Sequence, residues 1–439
     1  MRILLIAYDY PPTQSPRALR WRYLSRELAM LGHEVHVLIP DLGEPQLDQP
    51  QGPGRVVVHA SFPGPFGWLV RRSNRKHSKR QGKSAGPPFD QSGSTVTLNW
   101  RGAVVDAAKR LASFVLFPDV RAEWTPWARR RLRWILAEIV PHVVISSHEP
   151  ATTLLLGMYA RNQGFTWLAD LGDPVRTAYT PRRWRRHALK FEALVCRRAD
   201  RILVTNGATR DLLVERHGQE PDRFLVLPNG YDDRRTRHIM EEMSSVTFDE
   251  QRLELIYAGR LYDYRNPAPL LQAVAGCPGV RLTLIVPDPP PATELAAIAA
   301  HAGSGLRVLG ALPHVQVQQL LERADILVNF GDRAQPVRTP AKLYEYFGVK
   351  RPILHVHSSG ADAAVALLHG LRRGWICLDD ENALRGLLAD LCTRKQEGVL
   401  YQGMMLSPLP GYAHSSLGLK LEACIRDVVG SRQQASSRA

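Results

Sequence analysis

Apolar positions along the chain fall into two spacings: short unbroken runs of about five, and longer stretches where they return every third or fourth residue. The first pattern describes strands buried on both faces of a sheet, and the second describes amphipathic helices. Arg2 to Tyr8 is such a run. Trp21, Leu24, Leu28 and Leu31 then fall at helical spacing behind Ser15 as N-cap and Pro16 at the first helical position, Gly32 closes the stretch, and His33 to Pro40 is the next run. A strand, a helix and a strand in so short a span make a βαβ unit, so the sheet is expected to be parallel.

The rhythm continues with a strand at Val56 to Phe62, pauses from Pro63 to Asn99, and resumes with a helix at Trp124 to Ile139 and a strand at His142 to Ser147. Helix Ala151 to Asn162, strand Thr166 to Leu171, helix Arg182 to Arg198, strand Arg201 to Thr205, helix Gly207 to His217 and strand Phe224 to Leu227 follow. Asp232 to Gln251 is polar and reads as a linker. Beyond it come strand Leu253 to Ala258, helix Pro267 to Ala275, strand Arg281 to Val286, helix Ala292 to His301, strand Leu306 to Leu309, helix Val315 to Arg323 and strand Ile326 to Asn329. A helix opening at Thr339, strand Pro352 to Val356, strand Trp375 to Leu378 and helix Asn382 to Arg394 complete the series. The expected fold is α/β, with two doubly wound Rossmann-like domains at 1–240 and 250–408 facing a cleft, and a last helix at about 412–430 crossing back to the first.

A chain of 439 residues, 44% apolar, is long enough for two such cores. Its five cysteines, Cys196, Cys277, Cys377, Cys392 and Cys424, lie far apart without CxxC spacing, which argues against a zinc site or a disulfide framework. Ile3 to Ala7 is no signal-peptide core, and no apolar stretch reaches the roughly 18 residues of a membrane span, so a cytoplasmic protein is expected. The net charge of +15 is uneven: residues 1–250 hold 37 Lys+Arg against 26 Asp+Glu, the remainder 20 against 16. Such a surface attracts nucleic acid, an anionic membrane leaflet or phosphorylated substrates. The pause at Pro63 to Asn99 contains Arg71, Arg72, Arg75, Lys76, Lys79, Arg80 and Lys83 without an apolar period, and reads as a mobile loop. Phe62, Phe66, Trp68 and Leu69 beside it, with the clusters Arg129-Arg130-Arg131-Arg133 and Arg182-Arg183-Arg185-Arg186, suit a peripheral contact with an anionic membrane; the alternative is a solvated basic surface.

Candidate chemistry gathers in the second half. Thr339 as N-cap and Pro340 as first helical residue would leave the amides of a first turn facing an anion. Lys342 and Glu345 share a face of that helix, the lysine suited to a phosphate and the carboxylate to ribose hydroxyls. The alternative is a capped surface helix with an ion pair. Strand Leu253 to Ala258 ends in Gly259-Arg260-Leu261, followed by Asp263, Arg265 and Asn266, so two guanidinium groups stand on one strand-end loop and match a diphosphate, unless they are merely solvated. The first strand–helix loop lacks GxGxxG, which argues against a nicotinamide or flavin site.

Leu255 to Leu261 with Asn266, Pro228-Asn229-Gly230-Tyr231-Asp232, and Pro340 to Tyr346 with Lys350-Arg351-Pro352 resemble the family 4 glycosyltransferases (glycosyl transferases group 1) of the GT-B fold. In the first half, Tyr8-Asp9-Tyr10-Pro11-Pro12, Arg17, Arg20, Gly32-His33-Glu34-Val35, Ser146-Ser147 and Ala169 to Pro174 resemble the branch that assembles cell-surface polysaccharide. The resemblance implies a nucleotide-diphosphate sugar donor on the second domain, a saccharide or lipid-linked saccharide acceptor on the first, retention at the anomeric carbon, and neither metal nor cofactor. Carried over by position, it implies a ribose contact from Glu345 and diphosphate contacts from Arg260 and Arg265, the last standing where a lysine is usual; Gly259, Thr339, Pro340, Ala341 and Lys342 join the expected donor set from the reading of the loop and helix above. Val337 stands where a second glutamate is common, Thr13-Gln14-Ser15 replaces a double glycine, and Gly172 stands where an arginine is usual. His148, Asp170 and Asp173 lie at strand ends where they would orient hydroxyls, with Arg17, Arg20, Asp119 and Trp124 on the acceptor side; the alternatives are a backbone-satisfied histidine, a capping aspartate and a core tryptophan. A retaining transfer asks mainly for positioning and for stabilisation of the departing diphosphate. A GT-B sugar-nucleotide epimerase would share the donor site. A nucleic-acid binder would explain the charge, but no aromatic-plus-basic motif or zinc module accompanies it, and nucleic acid is not an expected partner.

Overall fold

Ile3, Leu4, Leu5 and Ile6 are at most 1% exposed, because each is covered on both sheet faces, and that removes any polar alternation from the run. Their strand lies within a seven-stranded parallel sheet of order β3-β2-β1-β4-β5-β6-β7. Its members are Arg2–Ile6 (β1), Glu34–Pro40 (β2), Arg55–Ser61 (β3), Val143–Ser147 (β4), Trp167–Asp170 (β5), Arg201–Val204 (β6) and Phe224–Val226 (β7). A second parallel sheet, β10-β9-β8-β11-β12-β13, is built from Leu253–Ala258 (β8), Val280–Ile285 (β9), Leu306–Leu309 (β10), Ile326–Phe330 (β11), Ile353–His357 (β12) and Gly374–Leu378 (β13). The computed structural model describes residues 1–11, 13, 15–43, 52–72, 116–234, 246–261, 265–286, 305–334, 337–358 and 362–438. The chain divides into two units, Met1–Leu227 with Gly418–Ala439, and Pro228–Leu417. In each sheet the strand order reverses once, between β1 and β4 and between β8 and β11, and ligands of such sheets bind beyond the carboxyl ends at those points.

Local signals set several helix ends. Ser15 Oγ accepts the amide of Ala18 at 3.1 Å with Pro16 opening the helix Pro16–Met30, and Asn206 Oδ1 accepts that of Thr209 at 2.7 Å. Gly218, at φ +58, ends the helix Gly207–His217 in the left-handed conformation that glycine tolerates.

Elsewhere the sequence pattern is overridden. The helix expected at about Trp124 to Ile139 is found at Thr125–Glu138, preceded by an unforeseen 3-10 turn at Val120–Trp124, while that expected from Arg182 changes from 3-10 to α at Arg185. Residues 65–72, read as part of a loop, are helical. Their N-terminus is capped from outside: the Glu123 carboxylate accepts the amides of Phe66 and Gly67, each at 2.9 Å. The helix Ala363–His369 was not foreseen; Asp362 caps it, and it buries only Ala364 and Leu368, too few positions to show a period. The helix expected to open at Thr339 begins at Ala341 and runs six residues to Tyr346, with Pro340 in the N-cap place at ψ 132° and no side-chain cap, so Thr339 is not its N-cap. The last helix is longer than expected, His414–Arg438. The expected helix at Ala292 to His301 and the cations Arg75, Lys76, Lys79, Arg80 and Lys83 lie outside the described residues. Among the described residues no helix is long and apolar enough to cross a membrane.

Behind the helix Ala341–Tyr346 lies Arg373, only 2% exposed. Its guanidinium donates to the carbonyls of Phe347 (3.4 Å) and Val349 (2.5 Å) just past the helix, and to those of Met405 (3.1 Å) and Ser407 (2.6 Å). The carbonyls of Phe347 and Val349 also accept the backbone amides of Leu409 and Arg351, so the guanidinium adds a second donor to each and ties the chain past the helix to residues 405 and 407.

Candidate functional site

In the second unit β8 ends at Gly259, whose φ of +131 suits glycine alone. A Cβ there would lie 2.6 Å from Nζ of Lys342, so the missing side chain makes room for that amine. Lys342 Nζ is buried without a hydrogen-bond partner, 3.4 Å from the centre of the Tyr257 ring. Burial lowers its pKa well below the usual lysine value, the neighbouring Arg265 charge adds to this, and Glu345 opposes it. The Tyr257 hydroxyl donates to the carbonyl of Arg260 at 2.7 Å, and Arg265 Nη1 donates to that hydroxyl at 2.9 Å and to the same carbonyl at 3.3 Å. Glu345 Oε2 faces Nε2 of His314 at 3.9 Å.

Gly259, Arg260, Arg265, Lys342 and Glu345 are thus brought together around Tyr257, at the end of β8 beside the strand-order reversal. Pro340 and Ala341 lead into the short helix that carries two of them, and Thr339 is buried just before it. Tyr257 was absent from the expected set; its signal was the residue spacing along β8, which puts it two before the glycine.

The first unit gathers side chains of the opposite sign at the ends of β4 and β5. Asp170 accepts Trp21 Nε1 at 3.0 Å and Ser147 Oγ at 3.4 Å and faces the Arg20 guanidinium at 3.6 Å, while Arg20 donates to the carbonyl of Leu227 at 2.8 Å. Both charges are buried, so this pair belongs to the scaffold. Arg17 reaches Glu149 Oε2 at 3.2 Å and Asp173 Oδ2 at 3.3 Å. A Cβ on Gly172 would lie 2.7 Å from Arg17 Nη1, which explains a glycine at that place. His148 donates its backbone amide to the carbonyl of Asp170 at 2.9 Å, while Nδ1 of its ring is buried without a partner. Burial lowers its pKa and holds the imidazole neutral against the nearby carboxylates of Glu149, Asp173 and Asp119.

Two acceptor-side expectations meet structural roles. Trp124 is fully buried, edge-on to Tyr8 at 5.4 Å with Nε1 donating to Ser61 Oγ at 2.8 Å, and is a core residue. Asp119 accepts the amide and hydroxyl of Thr152 at 3.0 and 2.8 Å and the amide of Arg121 at 2.8 Å, so it clamps two chain turns together. Burial raises its pKa against those hydrogen bonds. Glu149 escaped the sequence reading. It sits at φ +45, uncommon for a non-glycine residue, between His148 and Pro150. Tyr8 was noted only within a motif; burial pushes its hydroxyl up to about 12, and the Arg121 guanidinium lies 4.9 Å from its ring centre.

An outward surface of the same unit carries aromatic and cationic groups side by side. Phe62, Trp68, Leu69 and Trp127 are 40, 43, 39 and 38% exposed. The rings of Phe62 and Trp127 meet at 4.9 Å, Arg72 lies over Trp68 at 5.7 Å, and Arg129, Arg130 and Arg133 are exposed on the helix of Trp127.

Residues 94–235 match the family model described as Glycosyltransferase Family 4. The span includes β4 to β7, and with them His148, Glu149, Asp170 and Asp173. No curated protein matches the chain in sequence. Among solved structures it is similar to sucrose-phosphate synthase from Thermosynechococcus elongatus, at TM-score 0.66 and 13% identity over 98% of this chain and 100% of that one. It is also similar to Anabaena HepE in complex with UDP, at TM-score 0.54 and 12% identity over 100% and 99% of the two chains. The UDP-GlcNAc 2-epimerase of Methanocaldococcus jannaschii is similar at TM-score 0.55 and 10% identity over 97% and 99%. The shared property is the GT-B architecture of two Rossmann-like parallel-sheet units.

Proposed function

We propose that this chain, a GT-B protein of the family 4 glycosyltransferase kind, moves a sugar from a nucleotide-diphosphate sugar to a saccharide or lipid-linked saccharide, with retention at the anomeric carbon and without a metal. The observation that carries this reading is the set at the end of β8, where Arg265 and the Glu345 carboxylate neighbour the enclosed Lys342 amine, with Arg260 next to Gly259 on the same loop. Arginines and an amine offset the charge of a diphosphate as it departs, and a carboxylate accepts hydrogen bonds from a ribose diol. HepE, as its structure is described, binds UDP, which makes uridine nucleotides the first to try.

The acceptor belongs with the first unit. His148, neutral among carboxylates at the end of β4, belongs to the acceptor side, where it would orient a hydroxyl group other than the reacting one; the reacting hydroxyl gives its proton to the leaving phosphate oxygen, so no enzyme nucleophile is required. The exposed aromatic and arginine surface suits a protein that works at the inner face of an anionic membrane, where a lipid-linked acceptor would lie. A family match that covers the first unit's strand ends favours transfer over epimerisation.

The test is nucleotide release from a panel of UDP-, GDP-, ADP- and TDP-sugars with and without membrane extract as acceptor source. Acceptor-dependent release supports transfer. Interconversion of the sugar nucleotide alone would assign an epimerase, and inertness toward the whole panel would overturn the donor reading.

A further inference from the structure

A lysine near a protein surface normally lays its apolar stem along that surface and keeps its ammonium in water. Lys342 does the reverse. The residue as a whole is only half-buried, yet Nζ is fully enclosed, 3.4 Å over the Tyr257 ring, and has no hydrogen-bond partner. The place is built for it: Gly259 supplies the space, and Tyr257 is held flat beneath it by its hydroxyl, tied to the Arg260 carbonyl and to Arg265.

The groups around this amine explain its state. From the β8 loop comes the Arg265 guanidinium, and from its own helix the Glu345 carboxylate, which also faces His314 of the helix His314–Arg323. Tyr346, at the far end of the same helix, donates its hydroxyl to the carbonyl of Val328 at 3.2 Å and accepts the amide of Ala258 at 3.5 Å. Enclosure, one neighbouring guanidinium and the lack of a hydrogen-bond partner all disfavour the charged form of this amine, and only the shared carboxylate favours it. A diphosphate arriving at Gly259 would bring the missing acceptors and the missing negative charge together.

We propose that Lys342 is a proton-coupled receptor for the donor diphosphate, neutral over Tyr257 in the free protein and protonated by solvent when phosphate oxygens settle against Gly259. The inference rests on the donor reading above and adds a linked proton to it. Binding consumes one proton from solvent per diphosphate, and the ammonium so formed faces the charge that grows on the leaving group. Lys342 is in this sense a positioning residue with a switchable charge, unlike Arg260 and Arg265, which are cationic throughout.

Calorimetric titration with UDP-glucose near neutral pH, in two buffers of different ionisation enthalpy, reads the proton directly, because this pyrophosphate diester has no ionisation of its own there. The expected result is an uptake approaching one proton per ligand bound, with affinity falling as pH rises by up to about tenfold per pH unit. Lys342→Met, and Lys342→Arg with its permanent charge, should bind without the buffer dependence. Tight binding by the wild type with no proton uptake would overturn the inference and leave the donor reading intact. Uptake persisting in both variants would overturn it as well. Should UDP-glucose and the other nucleotide sugars of the panel all fail to bind, the donor reading falls and this inference with it.

Discussion

The strand ends of the two units share a topology and differ in the sign of what they hold. In the first, Glu149, Asp170, Asp173 and Asp119 crowd the ends of β4 and β5, and the arginines there, Arg17 and Arg20, are committed to them. In the second, Arg265 and Lys342 meet around Tyr257 with Glu345 close by, and the enclosed amine of Lys342 has no hydrogen-bond partner. A parallel sheet dictates where a ligand goes but not its charge, which is set by the few residues that follow each strand. Under the proposed function the first unit would take neutral, hydroxyl-bearing groups, and the second an anion.

The sharpest way to break the contrast is to unbalance the first unit. Asp170→Ala strips a counter-charge from Arg20 and acceptors from Trp21 and Ser147, all buried, and should cost about 3–5 kcal/mol in urea unfolding. A loss under about 1 kcal/mol would release Asp170 from the scaffold. Next, His148→Ala should lower turnover by roughly a hundredfold while donor affinity in calorimetry stays unchanged; equal loss of both would dissolve the division of labour between units. Arg260→Ala and Glu345→Ala should each weaken donor binding by about ten- to a hundredfold, for roughly 1.5 to 3 kcal/mol per charge-assisted hydrogen bond. Unaltered affinity in both folded variants would remove the anion site. Smallest per residue is the surface effect: replacing Arg72, Arg129, Arg130 and Arg133 with serine should weaken sedimentation with anionic vesicles by about 1 kcal/mol per charge at low salt. Indifference to lipid charge would leave a soluble acceptor as the better reading.

Much of the architecture was legible because strands buried on both faces leave unbroken apolar runs, as at Ile3 to Ile6, and because Ser15 and Pro16 announce a helix by local chemistry. What escaped depends on partners distant in sequence. The helical segment at 65–72 is capped by Glu123, more than fifty positions away, and no local pattern could show that. Trp124 looked equally fit for a site or a core until Tyr8 and Ser61 closed around it. Thr339 and Pro340 carried a start signal, but the extended backbone at Pro340 postponed the helix to Ala341. Lys342 was legible as a basic residue of the expected donor set. That its amine faces inward follows from Gly259 and Tyr257, which meet it only in the folded unit.

The guanidinium of Arg373 bears on motion. Six residues are far too few for a helix to persist by its own hydrogen bonds, and such a segment would ordinarily fray and re-form many times before the rest of its unit opened. The carbonyls past its end are held by a buried side chain that also grips residues 405 and 407, which ties the segment to the rest of the unit. Hydrogen exchange of the amides of 341–346 should therefore track global unfolding of the second unit rather than local breathing. Arg373→Lys, with a single ammonium in place of the fork, should uncouple the two, leaving the segment fast-exchanging inside an otherwise protected sheet.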